Sequence, residues 1–315
     1  MGAGMELHER VSQRLKLRDL RLLLSVAHWG SMAKAAAQLN LTQSGVSRAI
    51  ADMEHTLGVR LFDRTAQGVE PTIYGRALRK WGNAVFDDLR QGVKEIEFIA
   101  DPTAGELRIG CAEPMLAGLL PAIIGPLFRE YPRIDFHVTQ LSTLPQQYRE
   151  LRERNVDLIL GRMLQPLDED LEARVLFGER TFVVAGLQNR WTRRRKIELC
   201  ELINEPWIIP SSRSVIGLLF IEVFRRLNLK VPRIAVTTTS VQLNGALLET
   251  GLFLSLFRGS LLRFGAKRLA VKVLPVKLPI EPWPVGIVTL KNRTLSPVTQ
   301  LFIDRVHKAT RPLAR

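Results

Sequence analysis

The sequence has few cysteines and no long apolar run, and both absences limit what the protein can be. Its 315 residues include two cysteines, Cys111 and Cys200, too few for a disulfide framework or a cysteine-based metal site. The longest apolar runs, such as residues 252–257, are short and typical of buried strands rather than of a membrane span. Because no segment is typical of a signal peptide either, we expect a soluble cytoplasmic protein that binds no membrane.

The sequence also lacks the residue clusters that enzymes commonly use. Its histidines are scattered, without the spacing of metal ligands, at His8, His28, His55, His137 and His307. It has no glycine-rich phosphate loop, nucleophile elbow or paired metal motif. We therefore expect no enzymatic activity, no cofactor and no metal. The alternative left open is a small-molecule-binding protein or an enzyme without a role at DNA.

The formal net charge of +14 is typical of nucleic-acid-binding proteins, but its distribution does not mark a DNA-binding part. Residues 1–103 have 14 basic and 12 acidic side chains, a net of +2, whereas residues 104–315 have 31 and 19, a net of +12. Residues 16–80 have 10 basic and 5 acidic side chains, which gives a modest positive field. A prediction of DNA binding therefore has to rest on sequence pattern rather than on the isoelectric point.

The most informative pattern is a pair of short helices between Ser31 and Leu57. Ser31 is a good N-cap for the alanine-rich segment that follows it. Asn40 tolerates the left-handed conformation that a tight turn often needs, and Thr42 is the predicted N-cap of the second helix. That helix has an apolar stripe of helical period, formed by Val46, Ile50, Met53 and Leu57. The pattern predicts a helix-turn-helix.

Polar residues at the start of the second helix lie off the stripe and form a predicted DNA-contacting surface. A helix in the major groove contacts bases with its N-terminal residues, where glutamine pairs with adenine and arginine with guanine. After the stop signal at Gly58, two apolar segments flank a glycine-containing turn over residues 59–72, which predicts a small β-wing. The predicted DNA-binding residues are Thr42, Gln43, Ser44, Ser47, Arg48, Arg60, Arg64 and Thr72.

This order of elements resembles the LysR-type transcriptional regulators of bacteria. An amphipathic first helix is predicted by Leu17, Leu20, Leu23, Leu24 and Ala27. The residues that carry the resemblance are Ala35, Ala36, Leu39, Thr42, Gln43, Ser44, Val46, Ser47, Leu57, Gly58, Leu61, Phe62, Asp63, Arg64, Pro71, Thr72 and Gly75. Gly45 departs from the family pattern, since many relatives have a proline near the start of this helix. The resemblance implies a sequence-specific regulator of transcription.

An uninterrupted apolar seam predicts one long helix after Thr72. It continues to about Ala100, roughly 28 residues or 42 Å at 1.5 Å per residue. The seam consists of Leu78, Trp81, Val85, Leu89, Val93, Ile96 and Ala100. A long helix with one apolar edge usually packs on another helix, and in the resembled family this segment is the dimerisation helix. We therefore expect a homodimer or a homotetramer.

Beyond a predicted hinge at residues 101–105, strand and helix patterns alternate, which predicts parallel sheets with helices on both faces. The predicted strands are 106–111, 134–141, 157–161, 181–187, 207–209, 233–238, 252–257 and 284–290, and the predicted helices are 116–131, 144–154, 215–227, 240–250 and 297–309. The predicted fold is an N-terminal all-α winged helix-turn-helix (1–72) with a long linker helix (73–103) and a C-terminal α/β effector domain (104–315). The resemblance implies that this domain has two lobes, similar to periplasmic binding proteins.

Loops at the carboxyl ends of these strands are the predicted effector site, because ligands of open α/β sheets bind there, near helix N-termini. The rule selects Ala112, Glu113, Pro114, Met115, Ser142, Thr143, Gly161, Arg162, Thr239 and Ser240, and the resembled family binds its effectors at the same places. Ordinary N-capping is the alternative for Ser142 and Ser240. Because the Glu113 carboxylate would repel an anion, with Arg162 available to offset it, we expect a neutral or hydroxyl-rich effector such as a sugar.

These patterns together predict a ligand-responsive regulator that activates or represses transcription. A dimer or a pair of dimers would place two or four winged helices on double-stranded DNA at a promoter or operator. A small-molecule effector between the lobes would favour one arrangement through its differential affinity for the two states. The change would alter DNA bending and the contact with RNA polymerase.

Overall fold

The computed structural model describes residues 14–65, 68–163, 166–212, 214–265 and 269–313. Residues 1–13, with His8, and the predicted wing-turn residues Ala66 and Gln67 lie outside these ranges. The described chain forms two compact units that divide between Val93 and Lys94. Within the described ranges, no helix is long and apolar enough to cross a membrane.

The first unit contains the predicted three helices and a two-stranded wing. The elements are α1 (Leu17–Trp29), α2 (Met32–Gln38), α3 (Gln43–Leu57), β1 (Phe62–Thr65) and β2 (Gly68–Pro71). The local signals are confirmed, since the Ser31 and Thr42 hydroxyls cap α2 and α3. Asn40 and Gly58 both have left-handed backbone, with φ of 55° and 71°. Helices α2 and α3 therefore begin directly after their predicted N-caps, and α3 ends at the predicted stop signal, Gly58.

Apolar side chains from the three helices and the wing form the core of this unit. Its buried members are Leu22, Leu23, Val26, Ala35, Ala36, Val46, Ile50, Met53, Leu61, Phe62 and Val69. The prediction for Leu17 is wrong, because this residue is 48% exposed at the start of α1. Leu22 and Val26, which the predicted stripe omits, are buried instead.

The long helix α4 (Ile73–Ala100) has the predicted 28 residues. It starts against the wing at Gly75, where a Cβ atom would lie 2.0 Å from the carbonyl oxygen of Leu61. Only glycine allows this approach of helix and wing. Most of the predicted seam is exposed in the single chain, with side-chain exposure between 36% and 68% for Trp81, Val85, Leu89, Val93 and Ile96.

The last two turns of α4 belong to the second unit through a group of charged residues around the buried Asp157. Lys94 Nζ lies 3.6 Å from Glu106 Oε2 and 3.9 Å from Asp157 Oδ2. Asp157 is buried and also pairs with Arg108 and Arg293, at 2.7 and 2.8 Å. The two units therefore divide inside the helix, before the predicted hinge at residues 101–105. We call these five side chains the Asp157 cluster.

The second unit has two lobes, each with a five-stranded sheet. The first lobe has the strand order β4-β3-β5-β12-β6, with β3 (Ala104–Cys111), β4 (Arg133–Gln140), β5 (Leu158–Arg162), β6 (Leu171–Glu179) and β12 (Trp283–Leu290). Its helices are α5 (Glu113–Ala117), α6 (Leu119–Glu130), α7 (Leu144–Arg152) and α11 (Pro297–Thr310). β3 pairs in parallel with β4 and β5, whereas β12 runs antiparallel to β5 and β6.

The second lobe is built in the same way around a core of aromatic and aliphatic side chains. Its strand order is β11-β7-β10-β8-β9, with β7 (Thr181–Gly186), β8 (Trp207–Ile209), β9 (Ile234–Thr237), β10 (Leu254–Arg258) and β11 (Val271–Val273). Its helices are α8 (Val215–Arg226), α9 (Val241–Glu249) and α10 (Gly259–Gly265). The chain crosses between the lobes twice, at residues 179–181 and just before Trp283.

Three predictions for this unit are corrected by the structure. Both sheets are mixed rather than parallel, because β12 and β7 run against their neighbours. The predicted helix 116–131 is two helices that meet at Gly118, where a Cβ atom would lie 3.0 Å from the Leu261 Cα atom. Strands β6 and β11 and helix α10 lie where no element is predicted.

Candidate nucleic-acid interface and effector site

The first turns of α3 present polar side chains above the buried stripe. Gln43, Ser44 and Arg48 are exposed and Ser47 is partly buried. The Thr42 Oγ1 atom accepts a hydrogen bond from the Gly45 N–H at 3.1 Å and lies 3.2 Å from Ser44 Oγ. The backbone N–H that Gly45 supplies here is one that proline lacks. The predicted recognition surface is therefore assembled at a well-capped helix start.

The wing places a second basic site beside this helix in the same unit. Arg64 is exposed on β1, and Arg60 is exposed two residues before the strand begins. The Thr72 hydroxyl donates to the Arg60 carbonyl at 2.7 Å and accepts from the Gly75 N–H at 3.1 Å. Thr72 thus joins the wing to α4, and its contact with DNA stays a prediction.

The predicted effector residues of the first lobe do meet at one edge of its sheet. In the parallel register Cys111 faces Gln140 on one side and Leu160 on the other. Residues 112–115, Ser142 with Thr143, and Gly161 with Arg162 therefore follow adjacent strand ends. Thr239 and Ser240 precede α9 of the second lobe, which contacts α5 of the first. Both lobes thus contribute to the region.

N-capping accounts for two of these hydroxyl groups. Thr143 Oγ1 accepts from the Gln146 N–H at 3.3 Å, and Ser240 Oγ accepts from the Leu243 N–H at 3.2 Å. Ser142 is exposed and does not cap α7; its own N–H donates to Gln146 Oε1 at 3.2 Å. Thr239 is exposed as well. The capping alternative therefore holds for Ser240 and is wrong for Ser142.

Two arginines, one from each lobe, lie against one indole ring where the chain crosses between the lobes. The guanidinium carbons of Arg162 and Arg258 are 4.0 and 5.4 Å from the ring centroid of Trp283. Burial, and next the charge of Arg258, lower the pKa of Arg162 to about 10. Burial also lowers the pKa of Arg258, against the opposing effect of Glu179. We call Arg162, Arg258 and Trp283 the cleft arginine site.

This site corrects the expectation that Arg162 offsets Glu113. In the described part of the chain Arg162 forms no ion pair with Glu113, and the groups that shift its pKa are Arg258 and Tyr148. Glu113 lies instead near Cys111, whose thiol it influences. Arg258 follows from the same rule that selected Arg162, because it comes directly after the predicted strand 252–257, yet it is absent from the predicted set. Trp283 has no comparable local signal.

A cavity of about 720 Å³ also lies at the lobe crossover. Its lining includes Phe177, Arg180, Phe182 and Pro282. None of the predicted effector residues lines it. The predicted residues instead lie along an edge where Ser142, Thr143 and Thr239 are exposed.

Cys111 is expected to be unreactive because its thiol stays protonated. Burial, and next the charge of Glu113, raise its pKa to about 12, and the thiolate is the nucleophile. At neutral pH in native buffer, iodoacetamide should therefore modify the exposed Cys200 and leave Cys111 unmodified, as read by peptide mass spectrometry. Labelling in urea is the control, since both thiols should then react. Native modification of Cys111 at a rate near that of Cys200 would contradict this.

Comparison with known proteins identifies both units. Residues 17–76 match the model of the bacterial regulatory helix-turn-helix protein, lysR family, and residues 100–311 match the LysR substrate binding domain. The chain belongs to the LysR family of bacterial transcriptional regulators. It is a DNA-binding regulator of transcription with an effector-binding domain.

Two relatives and two solved structures are similar along most of their length. The transcriptional dual regulator GltC of Bacillus subtilis is 25% identical over 93% of this chain and 96% of its own. The regulator GbpR of Azospirillum brasilense is 24% identical over 94% and 87%. A full-length OxyR variant from Pseudomonas aeruginosa has a TM-score of 0.66 at 18% identity, covering 95% of this chain and 97% of that one. CbnR complexed with its target DNA has a TM-score of 0.61 at 20% identity, covering 94% and 100%. These structures share the fold.

Proposed function

We propose that the protein binds operator DNA through the first turns of α3 and through the wing. The observation that carries the proposal is the exposure of Gln43, Ser44 and Arg48 at a helix start whose other face is buried. Gln43, Ser47 and Arg48 contact base edges, whereas Arg60 and Arg64 contact phosphates or the minor groove. Sequence specificity then resides in α3 and the salt-dependent part of the affinity mostly in the wing.

We further propose that the protein acts as a homodimer, or a homotetramer of two dimers, assembled through the exposed seam of α4. Two recognition helices spaced by about one turn of DNA, roughly 34 Å, contact two half-sites. An effector that binds between the lobes favours one lobe arrangement, and this arrangement changes DNA bending and the contact with RNA polymerase. In this proposal residues 1–72 bind DNA, residues 73–103 form the dimerisation helix and hinge, and residues 104–315 bind the effector.

We place this activity in the cytoplasm and assign the chain no catalysis. The support is its family, whose named members regulate transcription. No group of three histidine, cysteine, aspartate or glutamate side chains in the described ranges is arranged to hold a metal ion. The predicted alternative, an enzyme or binding protein without a role at DNA, does not account for the helix-turn-helix match of residues 17–76.

Replacing Arg48 by alanine is expected to weaken specific DNA binding by about 1–3 kcal/mol, roughly 5- to 150-fold, and to relax base preference. Gln43→Ala should act in the same way. Arg64→Ala should weaken binding evenly across sequences and reduce the slope of log K against log[salt] by about 1. Gel shifts on DNA upstream of the gene and of its neighbours, at several salt concentrations, measure both effects.

The matched control is Arg225→Ala, because Arg225 is an exposed arginine on α8 of the effector-binding unit. It should leave affinity and salt slope unchanged. Wild-type binding by both the Arg48 and the Arg64 variants would show that the DNA-contacting surface is misassigned. An absence of sequence-specific binding by the wild-type chain would reject the proposed function itself.

A further inference from the structure

The cleft arginine site holds two positive charges that form no ion pair with a described carboxylate. Arg258 donates to Thr181 Oγ1 at 2.9 Å, and neither it nor Arg162 forms an ion pair with a described carboxylate. Glu179 is the carboxylate that influences Arg258, and its two oxygens accept from the N–H and Oγ of Ser260, at 3.0 and 2.5 Å. Its single negative charge leaves the two arginines with a net positive charge. Two partly buried like charges repel, and an anion between them would relieve that cost.

Two buried polar atoms beside Arg162 have no hydrogen-bond partner among the described residues. They are the Gln147 Oε1 atom and the Tyr148 hydroxyl, and their side chains are only 4% and 9% exposed. Gln147 Oε1 faces Gly161, since a Cβ atom on that glycine would lie 4.0 Å from it. Tyr148 is close enough to affect the pKa of Arg162.

Buried polar groups in folded proteins are nearly always hydrogen-bonded, so a ligand beside Arg162 can supply the partner that each of these two atoms lacks. An amide oxygen needs a donor, and a phenol hydroxyl can donate or accept. A ligand hydroxyl group satisfies both requirements. The site therefore combines a place for an acidic group with a place for hydroxyl groups.

We propose that the effector is a hydroxylated organic anion, such as a sugar acid or a sugar phosphate. Its acidic group binds between Arg162 and Arg258, and its hydroxyl groups bind Gln147 and Tyr148. This inference rests on the proposed function, in which an effector binds between the lobes. The proposed effector is hydroxyl-rich, as expected from Glu113, but it is an anion rather than a neutral molecule.

The position of the two arginines also explains how such a ligand would act. One arginine belongs to each lobe, so their repulsion opposes approach of the lobes when no anion is bound. An anion that contacts both guanidinium groups binds the closed arrangement more tightly than the open one. That differential affinity is what a ligand needs in order to shift a two-state equilibrium.

Thermal denaturation of the full-length protein tests the ligand class with four probes at equal ionic strength. D-gluconate or D-glucose 6-phosphate should raise the melting temperature in a concentration-dependent manner, and the stronger of the two distinguishes a carboxylate from a phosphate. D-glucose lacks the charge and hexanoate lacks the hydroxyl groups, so both should give a much smaller shift. A larger shift with glucose or hexanoate, or no shift with either hydroxylated anion, overturns the proposal.

Two variants and a control separate ligand binding from a structural role. Tyr148→Phe should leave the melting temperature of the ligand-free protein unchanged, because the hydroxyl has no described partner, and should weaken anion binding about tenfold. Arg258→Gln should weaken it about tenfold to a hundredfold, whereas Arg225→Gln should not. If Arg258→Gln lowers the ligand-free melting temperature and leaves the anion affinity unchanged, the arginines are structural and the inference is wrong.

DNA binding by the same preparations keeps this result distinct from the proposed function. Sequence-specific DNA binding without any anion effect rejects the effector class and leaves the regulator intact. An anion effect without sequence-specific DNA binding supports the arginine site and rejects the proposed regulator.

Discussion

Replacing Asp157 by alanine is expected to lower the free energy of unfolding of the effector-binding unit by about 3–5 kcal/mol. Asp157 is the carboxylate that Lys94, Arg108 and Arg293 share, and the Arg293 side chain is 1% exposed. Its removal leaves three cations together in a region with little water. Urea denaturation followed by tryptophan fluorescence measures the loss.

Asp168→Ala is the matched control, because Asp168 pairs with Arg152 at a position where both side chains are at least 40% exposed. An exposed pair of this kind contributes at most about 1 kcal/mol. Equal destabilisation by the two variants would contradict the role of the Asp157 cluster.

The Asp157 cluster also makes a prediction about acid. Burial raises the pKa of Asp157. The hydrogen bond from Arg108 and the charges of Lys94, Arg108 and Arg293 outweigh this effect, so the pKa lies below that of an ordinary aspartate. A group with a depressed folded-state pKa stabilises the fold above its unfolded pKa of about 3.9, and this contribution is lost as the pH falls through the folded pKa. Asp157→Asn should therefore flatten the loss of stability below about pH 4, as measured by urea midpoints across pH.

Replacing Leu89 by glutamate is expected to convert the protein to monomers and to reduce its affinity for DNA with two half-sites by about 10²- to 10⁴-fold. Leu89 lies in the middle of the exposed seam of α4, between Val85 and Val93. Each leucine buried in a helix pair contributes about 1.5–3 kcal/mol, and a charge there opposes association. Light scattering after size exclusion gives the oligomeric state, and gel shifts on one and two half-sites give the affinities.

The control is the same substitution at Leu227, which is 45% exposed beside the 49% of Leu89 but lies at the end of α8. Leu227→Glu should leave both the oligomeric state and DNA binding unchanged. Dimers that persist in the Leu89 variant would show that another surface joins the two copies.

The first unit is predictable because its signals are local. Ser31, Asn40, Thr42 and Gly58 each act on backbone groups within a few residues, so the limits of α2 and α3 follow from the sequence alone. The error at Leu17 has a different origin. The face of α1 that becomes buried depends on where α3 and the wing pack, and this packing leaves Leu17 exposed and buries Leu22.

The second unit is less predictable because its sheets join distant segments. β12 pairs with β5 and β6, which precede it by more than a hundred residues, so its antiparallel direction has no local signal. For the same reason, the sequence pattern does not predict β6. The strand-end rule predicts Arg162 from the sequence. Its neighbour in the structure, Trp283, is the first residue of β12 and lies more than a hundred residues later in the chain. Glu113, the neighbour expected from sequence, is closer along the chain but lies near Cys111 instead.

The division of the chain inside α4 has a consequence for protein engineering. The loop at residues 101–105 is the obvious fusion point for a chimeric regulator, because the sequence pattern places the domain boundary there. Such a splice would import a foreign residue at the position of Lys94 and break its contacts with Glu106 and Asp157. A junction at or before Val93 transfers the last turns of the helix together with the sensor that holds them, and it should yield the better-folded hybrid.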